Sequence, residues 1–254
     1  MMKLSVIIPA YDDLPGVMTA LNSLQATAST GHQYLVQDDA SPAVNFVATV
    51  PASIADVQRN DQNLGFGGNC NAAALRGAND ILFFVNQDVY AVPELSAGWD
   101  QRLLSAFNDS TVGIVGPKLL FPDGRIQSAG GFFDARKQPY HRCLGYSDHT
   151  FAEINTPMLV GWVTGAAFAI RRDLFRALGG FDPIYGRGYF EDVDLCAKAA
   201  IRQFSIWYQP DAILIHRVGG TGGNPRILEN ARKFRDRWSQ FIEPDTTAVY
   251  ESFW

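Results

Sequence analysis

Carboxylates and amides follow apolar segments of this sequence at three places. Asp12 and Asp13 follow residues 4–8, Asp38-Asp39 follows residues 33–37, and Asn86-Gln87-Asp88 follows residues 81–85. If these segments are parallel strands, their carboxyl ends meet at one edge of a sheet, where open α/β sheets bind ligands. Asp38 and Asp39 could accept hydrogen bonds from a nucleobase or a ribose. Asp88 could hold a divalent cation whose other ligands are diphosphate oxygens.

A second group of candidate residues lies in the last third of the chain. Glu191 and Asp192 follow the glycine-punctuated segment 186–190, and His216 precedes the glycine-rich segment 217–223. A carboxylate there could take up a proton as a general base, and the glycine-rich segment beside His216 suits a lid over an anionic ligand. We expect the start of a helix at Glu191 to keep Asp192 ionised near neutral pH.

Each motif also has a purely structural interpretation. Asp38-Asp39 and Asn86-Gln87-Asp88 are typical of turns or helix caps, and acidic residues are favoured in a first helical turn, where Asp194 can pair with Lys198. His216 could be a hydrogen-bonded structural histidine. Residues 65–68 are glycine-rich, but they form no dinucleotide-binding fingerprint because Cys70 stands where a glycine is required.

Strand-like and helix-like patterns alternate along the first half of the chain. This alternation predicts an α/β fold with a mainly parallel open sheet and helices on both faces. We expect a single domain over residues 1–254 with two subregions, at 1–92 and at 93–254. The predicted strands are 4–8, 33–37, 57–59, 81–85 and 158–170, and the predicted helices are 14–24, 69–78, 99–107, 172–178 and 191–202.

Composition excludes several classes of protein. The chain has 254 residues, of which 47% are hydrophobic, so it is not disordered. Its formal charge of −5, without a basic block, argues against a nucleic-acid partner. Three cysteines without CxxC spacing suggest neither a disulfide framework nor a zinc site. No signal peptide or long apolar run stands out, so we predict a cytoplasmic protein. Peripheral contact with the inner face of the membrane, through Trp238, Phe241 and Trp254, stays open.

Taken in order, these segments resemble the family 2 glycosyltransferases of GT-A fold. Residues 5–11 are similar to the opening strand of that family, 36–41 to its uridine-binding turn, 63–68 with Asn71 to its asparagine-glycine loop, 84–89 to the place of its DxD motif, 161–172 to its acceptor-side strand and 190–195 to its glutamate-aspartate helix. The resemblance covers about residues 3–238. Residues 116–118, 123–124 and the loop after His216 are most similar to the rhamnosyltransferase-type branch. Asn86 departs from the DxD pattern, so only Asp88 offers a carboxylate there.

The resemblance implies an inverting transfer of a sugar from a nucleotide-diphosphate sugar, dTDP-rhamnose or a UDP-sugar, to a hydroxyl of a glycan or lipid-linked glycan. It implies a nucleotide-sugar-binding subregion at 1–92 and an acceptor and catalytic subregion at 93–254. It also implies Mn²⁺ or Mg²⁺ at Asp88 and His216, catalysis by Asp192 as the base with Glu191, and acceptor contacts from Trp162, Gly165 and Glu191. The implied donor-binding residues are Pro9, Ala10, Tyr11, Asp38, Asp39, Asn63, Gly65, Asn71, Asn86, Gln87 and Asp88.

Two alternatives to this function remain at the level of the sequence. One is a nucleotidyltransferase that makes a sugar nucleotide, although the basic, glycine-rich N-terminal loop usual in such enzymes is missing. The other is an inactive nucleotide-sugar-binding module, which the asparagine at position 86 allows. Glycoside hydrolysis is disfavoured, because Glu191 and Asp192 are neighbours on one helix and cannot flank a bond between them.

Overall fold

A computed structural model describes residues 2–217 and 226–245 of the chain. In these residues twelve strands are found: β1 (Leu4–Ala10), β2 (Gln33–Asp38), β3 (Asp56–Arg59), β4 (Ile81–Val85), β5 (Val89–Tyr90), β6 (Val112–Leu120), β7 (Ile126–Ser128), β8 (Gly131–Phe133), β9 (Pro139–His141), β10 (Met158–Leu159), β11 (Ala167–Arg171) and β12 (Ser205–His216). The helices of the same residues are α1 (Leu14–Thr27), α2 (Phe46–Thr49), α3 (Gly65–Ala74), α4 (Pro93–Ser96), α5 (Trp99–Ser105), α6 (Arg172–Ala177), α7 (Glu191–Ile201) and α8 (Ile227–Trp238).

Ten of these strands form one sheet in the order β10-β12-β6-β11-β4-β1-β2-β3, with β5 beside β12 and β7 beside β6. Strands β3, β2, β1 and β4 pair in parallel. Every antiparallel pair of this sheet involves a strand that follows β4 in the chain. The predicted α/β architecture is therefore confirmed, with the parallel order concentrated in its first half.

Two apolar clusters cover the two faces of the sheet. Ile7, Leu35 and Phe84 belong to one cluster, whereas Val6 and Phe83 belong to the other. This division follows from the alternation of side chains along a strand, since neighbouring residues point to opposite faces. Strand β4 is therefore apolar throughout, as expected for a strand that is buried on both faces.

Local signals in the sequence explain several element boundaries. The Asp13 side chain accepts a hydrogen bond from the Gly16 N–H at 2.9 Å, so Asp13 rather than Asp12 caps α1. The helix predicted over 69–78 runs instead from Gly65 to Ala74. The helix predicted over 99–107 ends at Ser105 and continues as a 3₁₀ turn.

The prediction of one continuous strand over 158–170 is wrong in its middle. The segment consists of β10 and β11, which lie beside different strands. Between them Trp162 pairs with Gly131 in an isolated bridge, and a turn over 164–166 redirects the chain toward β4. The residues of this turn become part of the site.

The carboxyl ends of β1, β2, β4 and β12 lie at one edge of the sheet. Strand β12 runs parallel to β6, and β11 is antiparallel to both β4 and β6. The start of β11 is consequently at this edge too, and the Asn86 N–H donates to the Ala166 carbonyl at 2.8 Å. This edge brings the predicted site residues together. None of the helices in residues 2–217 and 226–245 is both long and apolar enough to cross a bilayer.

Candidate active site

Asp38 and Asp39 are buried at the end of β2 and are engaged by the chain itself. Asp38 accepts a hydrogen bond from the Ser41 N–H at 2.9 Å and forms an ion pair with Arg59, its neighbour in register on β3. Asp39 accepts hydrogen bonds from the N–H groups of Leu64 at 2.7 Å and Gly65 at 2.9 Å. The two carboxylates therefore hold the turns around them. Their predicted contact with a nucleoside stays a prediction.

The loop that Asp39 holds reaches across to the second half of the site. Gly65 has a φ of +72°, and a side chain there would meet the backbone of the 186–187 segment at 2.8 Å. A residue with a β-carbon is strained in this conformation, so glycine is required. Phe66 follows, and its N–H donates to the Arg187 carbonyl at 3.4 Å. The Asp39 turn thus connects to the segment that leads to Glu191.

Gln87 clamps the backbone at the end of β1. Its Oε1 accepts a hydrogen bond from the Tyr11 N–H at 2.8 Å, and its Nε2 donates to the Tyr11 carbonyl at 3.1 Å. Pro9 and Ala10 are buried in β1 and pair with β2. The Tyr11 side chain directly follows β1 and is exposed. Gln87 therefore positions the predicted donor-binding segment.

Asp88 and His216 face each other where β5 pairs with the end of β12. Asp88 Oδ1 and His216 Nε2 are 3.2 Å apart, and both side chains are largely buried. Burial acts to raise the pKa of Asp88, but the hydrogen bond and the charge of His216 outweigh it, so this pKa lies below its ordinary value. Asp88 is therefore ionised at neutral pH, as a metal ligand must be.

The Asp88–His216 pair fits a divalent cation. Neighbouring ligands of an octahedral ion at 2.0–2.1 Å lie about 3 Å apart, close to the 3.2 Å that separates these two atoms. Within the described ranges no cluster of three or more His, Cys, Asp and Glu side chains could hold a metal. The protein would thus supply two ligands, and phosphate oxygens and water would complete the shell, as is usual for Mg²⁺.

Asp192 is fixed at the start of α7 by two backbone N–H groups. Its Oδ2 accepts from Gly165 at 2.7 Å and its Oδ1 from Val193 at 2.8 Å. A β-carbon on Gly165 would lie 3.4 Å from Asp192 and equally close to Phe66, so glycine permits this close approach. Gly165 is adjacent to Ala166, whose carbonyl binds the Asn86 backbone. Asp192, the predicted base, is therefore connected to the end of β4 through Gly165 and Ala166.

Burial raises the pKa of Asp192 against the lowering effect of its hydrogen bonds to backbone N–H groups. That Asp192 is ionised near neutral pH stays a prediction. Burial, together with the charge of Asp192, also raises the pKa of the neighbouring Glu191 well above its ordinary value. Glu191 is 6% exposed, and its Oε2 has no hydrogen-bond partner within the described residues. In this pair both carboxyl groups hold a proton more tightly than their ordinary counterparts.

Several predicted residues make contacts within the chain. The Asn63 amide donates to the Asp39 carbonyl at 3.2 Å. Asn71 accepts from the Phe181 N–H at 2.9 Å and donates to the Phe181 carbonyl at 2.8 Å. Trp162 is buried, and its indole N–H donates to the Phe132 carbonyl at 3.1 Å. Asn71 and Trp162 therefore stabilise neighbouring loops, and their predicted roles toward donor and acceptor stay predictions.

The outcome for the expected surface and loop residues is mixed. Trp238 is 9% exposed and its indole N–H donates to Asp194 at 2.7 Å, so it is not available to a membrane. Phe241 is 56% exposed. The expected Lys198–Asp194 pair is present at 2.8 Å. Trp254 and most of the glycine-rich segment after His216, which was predicted to be a lid, lie outside the described residues.

Sequence reasoning missed residues that support the site from a distance. Arg59 pairs with Asp38, and Asn60 donates to both Asp39 and Asn69. The register of β3 against β2 could have indicated Arg59, because it lies directly opposite Asp38. Asn230 on α8 contacts the segment before Glu191 from far along the chain, and no local motif indicates it.

Solved structures share the fold of this chain. The structure of GalNAc-T7 with UDP, GalNAc and Mn²⁺ is 17% identical, covers 94% of this chain and 48% of its own, and superposes with a TM-score of 0.74. Staphylococcus aureus TarS in complex with UDP-GlcNAc is 19% identical, covers 92% of this chain and 66% of its own, and has a TM-score of 0.63. These likenesses show the GT-A fold.

Among proteins with known names, the chain is similar to an N-acetylglucosaminyl-diphospho-decaprenol L-rhamnosyltransferase of Mycobacterium tuberculosis. The two are 29% identical over 165 residues, which are 58% of this chain and 50% of that protein. The O-antigen biosynthesis protein RfbC of Myxococcus xanthus is 29% identical over 197 residues, or 71% of this chain and 14% of that protein. The chain thus spans half or less of the length of these relatives. The family model for glycosyl transferase family 2 matches residues 5–179, and the chain belongs to that family.

Proposed function

We propose that the protein transfers a sugar from a nucleotide-diphosphate sugar to an acceptor hydroxyl, with inversion at the anomeric carbon. One observation carries this proposal. Asn86, two residues before Asp88, donates a backbone hydrogen bond to Ala166. The neighbouring Gly165 donates one to the Asp192 carboxylate. These two hydrogen bonds connect the segment of the Asp88–His216 pair with Asp192. This arrangement supports the proposal because transfer to a hydroxyl needs a base next to the group that holds the leaving diphosphate.

The donor would bind with its nucleoside over the turns that follow β1 and β2. Tyr11 offers an exposed ring there, and Asp39 holds the Gly65 loop through backbone bonds. The relatives include a rhamnosyltransferase and an O-antigen biosynthesis protein. They support a deoxyhexose or hexose donor such as dTDP-rhamnose or a UDP-sugar, and an acceptor that is a glycan or a lipid-linked glycan.

A divalent cation held by Asp88 and His216 would neutralise charge that develops on the leaving diphosphate. Solved neighbours of the same fold contain Mn²⁺, which supports a divalent metal and does not choose between Mn²⁺ and Mg²⁺. The buried Asn86 Oδ1 has no hydrogen-bond partner within the described residues. Asn86 follows β4 directly, and its Oδ1 would accept a hydrogen bond from the donor.

In the proposed reaction, the acceptor hydroxyl attacks the anomeric carbon from the face opposite the diphosphate. Asp192 takes the hydroxyl proton as the new carbon–oxygen bond forms, and the bond from the anomeric carbon to the diphosphate oxygen breaks. The nucleoside diphosphate leaves with the electron pair of that bond. Glu191, when protonated, would donate a hydrogen bond to an oxygen of the acceptor. The balance requires no further reactant.

The test is to incubate the protein with a panel of nucleotide sugars and Mn²⁺, with and without candidate acceptors, and to measure free nucleoside diphosphate. We expect release that depends on the acceptor and is lost in Asp192→Asn. Production of pyrophosphate from a nucleoside triphosphate would indicate a nucleotidyltransferase instead. Binding of donor without release under any condition would indicate a binding module, and either result would overturn the proposal. A cytoplasmic location and contact with a membrane stay predictions.

A further inference from the structure

The segment that leads into the Glu191–Asp192 pair has a strained backbone. Tyr189 and Phe190 have φ values of +70° and +76°, and Gly186 and Gly188 also have positive φ. Residues with a β-carbon rarely adopt the left-handed conformation, and they keep it only where the surrounding structure enforces it. Two bulky aromatic residues in succession therefore require an external constraint, directly before the helix that carries Asp192.

Asn230 of α8 provides such a constraint. Its side chain is 1% exposed. Its Nδ2 lies 2.9 Å from the Tyr185 carbonyl, 3.0 Å from that of Gly188 and 3.1 Å from that of Tyr189. The two N–H groups of one amide are thus shared among three carbonyls of the strained segment. Asn230 lies outside residues 5–179, which the family model matches.

The hydrogen bonds of Asn230 to residues 185, 188 and 189 are called the clamp below. Helix α8, which carries Asn230, is itself bound to α7. Asp194, on α7, accepts hydrogen bonds from Arg237 at 2.9 Å and from Trp238 at 2.7 Å. The ring of Phe234 packs against the ring of Phe190 at a centroid distance of 5.6 Å. A displacement of residues 185–190 would therefore break the hydrogen bonds to Asn230 and the ring contact with Phe234.

The conformation of this segment determines where α7 begins. The Phe190 carbonyl accepts the Asp194 N–H at 2.9 Å, which makes Phe190 the residue from which the first turn starts. If Phe190 left the left-handed conformation, Glu191 and Asp192 would change direction, and Asp192 would lose its alignment with Gly165. A shift of about 1 Å in a reacting group can lower a rate by about 100-fold.

We propose that Asn230 is a positioning residue for catalysis, which holds the strained 185–189 segment so that Asp192 points at the acceptor site. This inference rests on the proposed function, in which Asp192 is the base. It predicts that loss of Asn230 lowers kcat for transfer far more than it weakens donor binding. Gly65 contacts residues 186–187, but the loop that carries it is also held by Asp39, and Tyr11 is held by Gln87.

The test compares Asn230→Ala, which removes the amide, with Asn230→Asp, which keeps its shape and replaces the donating nitrogen by an oxygen. We expect both variants to lower kcat by about 10-fold to 100-fold, with a much smaller change in the Kd for the nucleoside diphosphate by calorimetry. Asn79→Ala is the matched control. The Asn79 amide donates to the Leu4 carbonyl at 2.8 Å at the opposite edge of the sheet, so its loss should lower the melting temperature without a change in kcat.

The outcomes separate this inference from the proposed function. If Asp192→Asn abolishes transfer while both Asn230 variants fold and keep nearly full kcat, the inference is wrong and the proposed function stands. If Asp192→Asn remains active, the proposed function fails first. Failure of both Asn230 variants to fold, or a fall in kcat no larger than that of Asn79→Ala at equal loss of melting temperature, would show that Asn230 is structural only.

Discussion

The two sides of the candidate site differ in how their buried polar groups are satisfied. The donor side comprises the Asp38-Asp39 turn, which would face the nucleoside, and the loops around it. There the Asp39 carboxylate accepts hydrogen bonds from Leu64, Gly65 and Asn60. Asp38 pairs with Arg59 and accepts a hydrogen bond from Ser41. The catalytic side comprises the turn at 86–88 that would hold the diphosphate, His216 and the Glu191–Asp192 pair. Three buried atoms there have no hydrogen-bond partner within the described residues, namely Asn86 Oδ1, Glu191 Oε2 and His216 Nδ1.

This contrast has a physical meaning. A buried polar atom without a partner costs about 1–3 kcal/mol of stability, and such costs persist where function requires them. On the donor side the carboxylates hold the turns around them. Under the proposed function, the unpartnered polar atoms of the catalytic side would meet the substrate. Substitutions on the donor side should therefore lower stability first, whereas substitutions on the catalytic side should lower activity first.

The largest effect is expected from Asp192→Asn. The amide keeps the size of the side chain and cannot take up the proton of the acceptor hydroxyl, so kcat for transfer should fall by about 10²-fold to 10⁴-fold, the usual range for general base catalysis. Donor affinity by calorimetry should not change.

The wild-type rate gives an independent check of this assignment. Because burial raises the pKa of Asp192, the rate should decline as pH falls through that raised pKa, at a higher pH than for an exposed aspartate. If Asp192→Asn stays active and Glu191→Gln does not, the roles of the two carboxyl groups are exchanged.

Asp88→Asn should have the next largest effect. It removes the one carboxylate of the proposed metal pair, so stabilisation of the leaving diphosphate should weaken and kcat should fall by about 10²-fold to 10³-fold. Excess EDTA should inactivate the wild-type protein, and Mn²⁺ or Mg²⁺ should restore it. The melting temperature without metal should change little. Full activity in EDTA would exclude the proposed role of the metal.

The parallel half of the fold and the residues at its edge could be predicted from the sequence, because apolar segments end abruptly in Asp38 and Asn86 and parallel strands bring such ends together. The turn at 164–166 could not be predicted, since its apolar flanks favour a continuous strand. The clamp from Asn230 was also hidden. Its contact with residues 185–189 depends on how α8 packs, and an isolated asparagine carries no periodic signal.

Asp39→Ala tests the donor side of the contrast. The substitution removes the charge-assisted hydrogen bonds from the N–H groups of Leu64 and Gly65. Gly65 keeps only its longer bond to Asn63 Oδ1 at 3.2 Å, so the loss should cost about 2–4 kcal/mol. For a chain of this size the melting temperature should fall by about 5–15 °C. UDP or dTDP should also bind more weakly, because the Gly65 loop loosens.

The control for Asp39→Ala is Asp61→Ala, at an exposed position beside the same loop. We expect it to leave both the melting temperature and the binding of nucleotide unchanged. If Asp39→Ala melts like the wild type, Asp39 does not hold the loop. Unchanged nucleotide affinity in both Asp38→Ala and Asp39→Ala would remove the two residues from the donor site.

The smallest and most specific effect is expected from Glu191→Gln. Burial and the charge of Asp192 raise the pKa of Glu191 in the folded protein, so the folded state binds this proton more tightly than the unfolded state does. The stability that this proton contributes is fully present below the unfolded pKa and is lost as pH rises through the folded pKa. Glutamine keeps the neutral form at every pH. The variant should therefore melt close to the wild type near pH 4 and above it near pH 8, with kcat lowered by less than about 10-fold because the amide can still donate a hydrogen bond.

Glu153→Gln, at an exposed position, should show no such dependence on pH. A Glu191→Gln variant that is equally or less stable than the wild type at pH 8 would mean that the carboxylate is held ionised, and the contrast between the two sides of the site would then not extend to Glu191.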